Sequence, residues 1–480
     1  MNDLTPLPSD NEKFRDEIAT VDERGKRIWI YPKMPKGFYT NLRSKLSWVF
    51  LALLFGMPFI KINGDPFMLF NIMERRFIIF GVNFMPQDFY LFVIAMLIFI
   101  VFIVLFTVVF GRLFCGWVCP QTIFMEMVFR KIEYWIEGDA NAQKRLNKAP
   151  WTTDKIIKKV SKQGLFFGIS VLIANTFLAY IIGVDEVYSI ITDSISEHLV
   201  GFSAMIIFSF VFYFVFSYMR EQVCIAICPY GRLQSVMLDK DSIVVAYDFE
   251  RGEPRGKIKK SRKQKEEEQP EVQLKQNFGD CIDCGLCVQV CPTGIDIRNG
   301  TQLECVNCTA CMDACDEVMI KIGREEELIR YDSLSGIEKG HKKIWTPRVM
   351  AYSGVLAALV VLEIFLFALR TDVETLLLRT PGLLFQEVNE LTISNLYNYQ
   401  VINKTTKEYN IEFRLKTDYG NIKLVGETPL VKKNDIAKGG LFIELPKDKL
   451  KSGNNRIVVE VYSEGKMIDK VETSFLGPVK

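Results

Sequence analysis

Histidine is nearly missing from this chain: 480 residues hold only His198 and His341. A membrane bundle carrying two bis-histidine haems needs twice that number, so a haem ladder is excluded. No C-x-x-C-H run occurs, which excludes covalently attached haem. The net charge is only +2, so no basic field argues for nucleic acid. There is no glycine-rich phosphate loop, and hence no indication of a bound nucleotide. The first 44 residues are polar and charged and do not read as a signal peptide. Cysteine is absent after Cys315, although twelve cysteines precede it from Cys115 onward. Tight spacings inside a long chain read as metal ligands rather than as a disulfide scaffold.

The apolar residues are gathered into blocks. Five spans of membrane length stand out, at about 45–61, 88–110, 164–183, 200–219 and 347–369. Basic residues crowd the head (Arg24, Lys26, Arg27, Lys33, Lys36, Arg43, Lys45) and the connection after the second span. The connection from Val184 to Leu199 has no Lys or Arg at all. By the positive-inside rule the amino terminus and the even-numbered connections lie inside, and five crossings put the carboxyl terminus outside. Every cysteine then falls on the inner side, and the exported tail has nothing to oxidise.

The expected fold is an α-helical membrane bundle of about five spans, with an inserted two-cluster ferredoxin-like domain and a carboxyl-terminal all-β, immunoglobulin-like sandwich. Its parts are an inner head at 1–44 and a membrane domain at 45–240 with four spans. A charged linker follows at 250–276, then a ferredoxin domain at 277–330, a fifth span at 347–369 and the sandwich at 384–480. The tail alternates in short strands, as in Asn410–Lys416, Gly440–Leu445 and Asn455–Tyr462, and suggests about seven of them.

Eight cysteines carry the strongest signal. Cys281, Cys284, Cys287 and Cys291-Pro292 form one C-x2-C-x2-C-x3-C run, and Cys305, Cys308, Cys311 and Cys315 form another. In such pairs the fourth thiolate of each [4Fe–4S] cube comes from the other run. This predicts one cluster on Cys281, Cys284, Cys287 and Cys315, and a second on Cys305, Cys308, Cys311 and Cys291. Two zinc sites would leave half of each run without a role. Gly285 and Gly294 permit tight turns beside the cubes.

The remaining four cysteines lie in Gly111-Arg-Leu-Phe-Cys115-Gly-Trp-Val-Cys119-Pro120 and in Val223-Cys224-Ile-Ala-Ile-Cys228-Pro229-Tyr-Gly-Arg232. Each C-x3-C-P follows two spans, so the halves form a parallel repeat whose motifs face each other at one membrane surface. Cysteines four apart on a helix share a face, and the proline would stop or kink that helix. Both pairs together offer a four-thiolate site for Cu(I), a third cluster or a redox dithiol. Arg112, Arg220 and Arg232 flank the motifs and serve equally well as inner-side anchors. Trp48, Trp117 and Trp135 fit an interfacial belt, and Met73, Met125 and Met127 fit packing. His198 and His341 receive no role.

These motifs together resemble one family, the CcoG/FixG/RdxA proteins, which are cytochrome c oxidase accessory proteins. The resemblance rests on Cys115-Gly-Trp-Val-Cys119-Pro-Gln121, Cys224-Ile-Ala-Ile-Cys228-Pro-Tyr-Gly231, the eight-cysteine run and the β-rich tail. NapH and NosR proteins share the C-x3-C-P motifs and a ferredoxin run, but the exported immunoglobulin-like tail fits the first family better. The resemblance implies a multi-pass protein of the bacterial inner membrane, with its clusters cytoplasmic and its sandwich periplasmic. It implies two [4Fe–4S] clusters and an oxidoreductase, a cupric reductase, that makes Cu(I) for assembly of cbb-type cytochrome oxidase. It implies copper handling, at once catalytic and metal-binding, by Cys115, Cys119, Cys224 and Cys228. The partners are then membrane lipid, copper ion, oxidase subunits or copper chaperones, an unidentified electron donor and, as a candidate, a second copy of the chain. Two other readings compete: a quinol-linked electron carrier of NapH type, and a non-enzymatic assembly scaffold or copper chaperone.

Overall fold

The computed structural model describes residues 19–22, 24–62, 64–73, 76–257, 278–341, 343–382, 385–405 and 407–478. Most of the charged stretch at 250–276, and much of the head at 1–44, therefore lies outside the described residues. The chain divides into two units. One holds residues 1–57, 96–179 and 184–360, and the other holds 58–95, 180–183 and 361–480.

Five helices are long and apolar enough to cross a membrane: Phe38–Phe59, Phe89–Phe110, Thr153–Ile182, Leu199–Met219 and Pro347–Ala368. Phe89–Phe110 contains no charged residue and is apolar all round, as a lipid-facing helix must be. Two helices begin earlier than their apolar runs. The first starts at Phe38 because Asp313 caps it from another part of the chain. The Asp313 carboxylate accepts from the backbone N–H groups of Tyr39 and Thr40 at 3.0 and 2.7 Å, and from Thr40 Oγ1 at 2.6 Å.

The third helix starts at Thr153, and its first turns are rich in lysine. Lys155 Nζ donates to the carbonyls of Asn147 and Ala149, and Lys162 Nζ pairs with Glu137 at 2.9 Å. Glu133 is the centre of this buried network, bound to both terminal nitrogens of Arg220 at 3.0 and 2.6 Å. Burial raises the Glu133 carboxyl, but Arg220, Lys162 and Arg130 outweigh it and hold it below the usual carboxylate range.

The ferredoxin part is larger than its cysteine runs. Val244–Tyr247 pairs antiparallel with Ile329–Asp332, and both strands pack on the helix Ala310–Ile322. The domain therefore opens at Val244, before the two cysteine runs begin.

In the second unit the tail is a sandwich that starts at Val373, not at 384. One sheet runs in the order Asn421–Val425, Ile436–Pro446, Thr392–Asn403, Val373–Arg379, and Gln386–Asn389 also pairs with Thr392–Asn403. The facing sheet is Glu412–Leu415, Asn454–Ser463, Lys466–Leu476. Inward residues such as Tyr397, Val401, Ile443, Val461 and Phe475 are fully buried between them. With the short pair Tyr409–Asn410 and Leu430–Val431, the described residues hold more strands than the seven expected.

The same unit holds a three-stranded meander, Met68–Asn71, Arg76–Ile79 and Val82–Phe84, which the sequence did not suggest. Asp88, just after it, pairs with Lys404 at 2.6 Å and Arg370 at 2.9 Å; Asp88 and Lys404 are buried and Arg370 is partly exposed.

Candidate metal centre

The two cysteine runs fold alike because their turns are alike. Asp283 and Asn307 hold the same place in the two C-x2-C loops, and each has φ of +52°. Gly285 and Thr309 follow the second cysteine of each loop at φ +65° and +66°. These left-handed residues curl each loop so that successive thiols face inward; glycine adopts the conformation freely, and Asn and Asp tolerate it. The helix Leu286–Gln289 then carries Cys287, the helix Ala310–Ile322 carries Cys311 and Cys315, and Cys291 follows the first of them.

Cys281, Cys284, Cys287 and Cys315 line one cavity. Cys287, Cys291, Cys305, Cys308 and Cys311 line a second. The first cavity thus draws three thiols from one run and the fourth from the other, as a cube shared between runs requires, and the second joins the three thiols of the second run to Cys291, with Cys287 common to both cavities. Burial pushes the thiols up: Cys287 and Cys305 to about 12, Cys308 to about 11, and Cys311 and Cys315 further. Neighbouring thiolates oppose one another here, so only a cationic core can hold several ionised together.

The C-x3-C-P cysteines are not paired along a helix. Cys115 sits in the short helix Leu113–Trp117, but Cys119 has φ −59° and ψ 123° and caps the next helix, with Pro120 in its first turn. Cys228, at φ −66° and ψ 113°, does the same ahead of Pro229–Met237. Proline here opens a helix rather than ending one, since its missing N–H costs nothing in a first turn. In both halves the second cysteine reaches back five residues: Cys119 N–H donates to Phe114 O at 2.9 Å, and Cys228 N–H to Val223 O at 2.8 Å. Burial, then Cys119, then Cys228 raise Cys115 to about 11, against the hydrogen bond from Gln234; burial and the other three thiols raise Cys224 to about 12. Gln234, from the second half, donates Nε2–H to Cys115 Sγ of the first at 3.4 Å. Among the described residues no three His, Cys, Asp or Glu side chains close around a point as they would around a single ion.

The two thiol groups meet backbone to backbone. A Cβ built on Gly116 would lie 2.5 Å from Val306 O and 2.7 Å from Asn307 O, in the loop between Cys305 and Cys308. Arg43 Nε donates to Gly116 O at 2.6 Å. Trp117 Nε1 donates to Tyr331 Oη at 3.0 Å, and Tyr331 Oη donates to Asn307 O at 3.3 Å. Arg112 completes the junction, with one terminal nitrogen on Leu303 O beside the cluster loop and the other on Gly231 O beside the second motif.

Of the flanking residues considered from sequence, Arg112 and Trp117 belong to this junction, whereas Arg220 belongs to the Glu133 network. Met125 and Met127 are buried and Met73, Trp48 and Trp135 are exposed. His198 lies 3.4 Å from Asp193 and away from every cysteine. Gly116, Asn307, Tyr331, Arg43, Gln234 and Asp313 were not foreseen. The only signal for the first two was their position inside the cysteine motifs.

Residues 219–334 match the 4Fe-4S dicluster domain, and residues 364–478 match the family described as an IG-like fold at the C-terminal of FixG. Residues 92–139 match a 4Fe-4S binding domain. Nitrogen fixation protein FixG of Rhizobium meliloti (strain 1021) is 37% identical over 65% of this chain, and the match spans 58% of that protein. Protein RdxA of Cereibacter sphaeroides is 32% identical over 82% of each chain. Protein RdxB of the same organism is 33% identical over 84% of this chain and 85% of its own. The dicluster match, the eight thiols in two cavities and the five membrane-length helices agree with one another: this is a multi-pass, two-[4Fe–4S] electron-transport protein that belongs to the FixG/RdxA family.

Proposed function

We propose that the chain reduces Cu(II) to Cu(I) at Cys115, Cys119, Cys224 and Cys228, and that the product serves assembly of a cbb-type cytochrome oxidase. In this reading Cys281, Cys284, Cys287 and Cys315 hold one cluster, and Cys305, Cys308, Cys311 and Cys291 the other. The positive-inside distribution supports a cytoplasmic face for all twelve cysteines and a periplasmic sandwich, which would meet oxidase subunits or copper chaperones. Bound in their cavities, the clusters supply electrons one at a time. The four thiols bind the copper, and soft thiolates favour the cuprous product over the cupric substrate. Gly116 keeps the thiol site in van der Waals contact with the Cys305–Cys308 loop, and this contact is the observation that carries the reading.

A second reading has an observation of its own. The 4Fe-4S binding-domain match at 92–139 includes Cys115 and Cys119, which supports a third cluster on the same four thiols. Iron content separates the two, because a third cube adds half as much iron again.

The test uses protein purified without oxygen, dithionite as donor and a Cu(I)-specific chelator as reporter. The Cys115/Cys119/Cys224/Cys228→Ser variant, with its dicluster absorbance intact, is the comparison. Many turnovers in the parent and few in the variant are expected. Equal rates in both would remove the thiols from the reaction.

A further inference from the structure

Four arginines are buried among the described residues: Arg43, Arg112, Arg130 and Arg220. Two of them have a carboxylate. Arg130 pairs with Glu126 at 3.0 Å, and Arg220 with Glu133 at 2.6 Å. Arg43 and Arg112 have none: among the described residues neither forms an ion pair. Arg43 donates Nε–H to Gly116 O at 2.6 Å, and its buried Nη2 has no hydrogen-bond partner. Arg112 bonds the carbonyls of Leu303 and Gly231. Carbonyls carry no net charge, and a buried cation is costly without an anion, so an anion is what these two lack.

Both stand against the same loop. Gly116, which Arg43 holds, packs on Val306 and Asn307 between Cys305 and Cys308. Leu303, which Arg112 holds, lies two residues before Cys305. The Arg43 charge reaches the cluster ligand Cys308: after burial it is the largest influence on that thiol, and it favours the thiolate. Arg112 acts in the same sense on Cys305. Glu126 opposes Arg43 at Cys308, but it is already the partner of Arg130. The first cluster cavity differs. Arg298 lines it, but Asp283 at 2.6 Å and Asp296 at 2.7 Å neutralise its guanidinium.

A [4Fe–4S] cube on four thiolates is an anion, and reduction adds a further negative charge. We propose that Arg43, with Arg112 beside it, is the counter-charge of the second cluster and raises its reduction potential, favouring the electron on the cluster whose loop touches Gly116. Arg43 is a positioning residue, because it is not among the residues that line that cavity. It needs no contact with the cube, since a unit charge acts across several ångströms of a low-dielectric interior. The proposal rests on the assignment of the eight cysteines to two clusters, but not on copper as the acceptor.

The test is a redox titration followed by electron paramagnetic resonance, on the full chain purified without oxygen and with no copper added. Arg43→Gln removes the charge and keeps an N–H donor, whereas Arg43→Lys keeps the charge. In Arg43→Gln one reduction step should fall by at least about 60 mV, a ~10-fold loss of the reduced form at a fixed potential, while the other step stays parental. Arg43→Lys should keep both steps near their parental values. Arg298→Gln, which leaves Asp283 and Asp296 without their partner, should lower the other step and so tells the two clusters apart. Equal shifts in Arg43→Gln and Arg43→Lys would make Arg43 a structural prop and overturn the proposal. Unmoved steps in Arg43→Gln, or a shift of the same step that Arg298→Gln moves, would overturn it too. If Arg43→Gln does not assemble, Arg112→Gln removes the neighbouring charge and is read in the same way. A parent without two [4Fe–4S] signals would sink the cluster assignment and this proposal with it. Copper reduction is scored in a separate assay, so failure here and failure of the copper reading are told apart.

Discussion

Gly116→Ala should break the electron path while sparing both clusters. The added methyl would sit 2.5 Å from Val306 O and 2.7 Å from Asn307 O. An ordinary contact needs ~3.5 Å, so the two loops must part by about 1 Å. Neither loop is free to yield. Arg43 fixes Gly116 O, Arg112 holds Leu303 O and Gly231 O, and Trp117 is tied through Tyr331 to Asn307 O. Overpacking of this kind costs about 1–3 kcal/mol, and a lost bond to a guanidinium adds about 1.5–3 kcal/mol. The strain falls on the backbone of Val306 and Asn307, whereas the thiols of Cys305 and Cys308 on either side line the second cluster cavity. Cluster absorbance should therefore stay parental, while dithionite-driven Cu(I) formation falls at least ~10-fold, since displacements near 1 Å at a reacting site have effects of that order or more. Gly168→Ala is the control, since a Cβ there meets nothing within 4 Å. A Gly116→Ala protein that forms Cu(I) at the parental rate would refute the junction as the route.

Four further outcomes are expected. Glu133→Ala leaves buried Arg220 with only Glu221, at 4.0 Å, and should cost about 3 kcal/mol, read as a lower midpoint in detergent unfolding. In the parent, the depressed Glu133 pKa gives stability that is present above the ordinary carboxylate value and is lost as pH falls through the lower folded value, so the variant's acid arm should be flatter. Asp313→Ala orphans the Tyr39 and Thr40 N–H groups at about 1–3 kcal/mol, and hydrogen exchange should quicken in the first turn of Phe38–Gly56 before anywhere else in that helix. Asp88→Asn removes the carboxylate shared by Lys404 and Arg370, and protease cleavage within residues 64–84 should rise severalfold with cluster content unchanged. Cys115→Ser should slow a single turnover of copper reduction more than Cys224→Ser does, even if both lose the same amount of bound copper; equal slowing would contradict the asymmetry of the two motifs.

What the sequence revealed followed how local each signal is. The eight-cysteine run announces its cofactor because its ligands lie within a few residues of one another. Phe89–Phe110 is legible because no charge interrupts it. The head of the third helix is not, because Lys155 and Lys162 read as solvent-facing until Asn147, Ala149, Glu133 and Glu137 are seen to receive them. The strand Val244–Tyr247 finds its partner across the whole ferredoxin insert, so no local pattern links them. The C-x3-C-P motifs were found, yet their geometry was misread. Spacing of four suggests one helical face, whereas proline in a first turn makes the second cysteine a cap.

The repeat explains why two such motifs are present, and its imperfection explains what they do differently. Both halves use the same five-residue reach and the same proline-opened helix, so both deliver a pair of thiols to one place. The residue after the first cysteine breaks the symmetry: Gly116 in one half, buried Ile225 in the other. Only the glycine lets a carbonyl-lined loop approach within contact distance, and that loop carries Cys305 and Cys308. The second motif spends its glycine elsewhere, with Gly231 packed against Cys224 O inside its own loop. Two copies of one thiol hairpin thus acquire separate duties. On the copper-reduction proposal, one stands against the electron source and the other closes the site around the ion that is reduced.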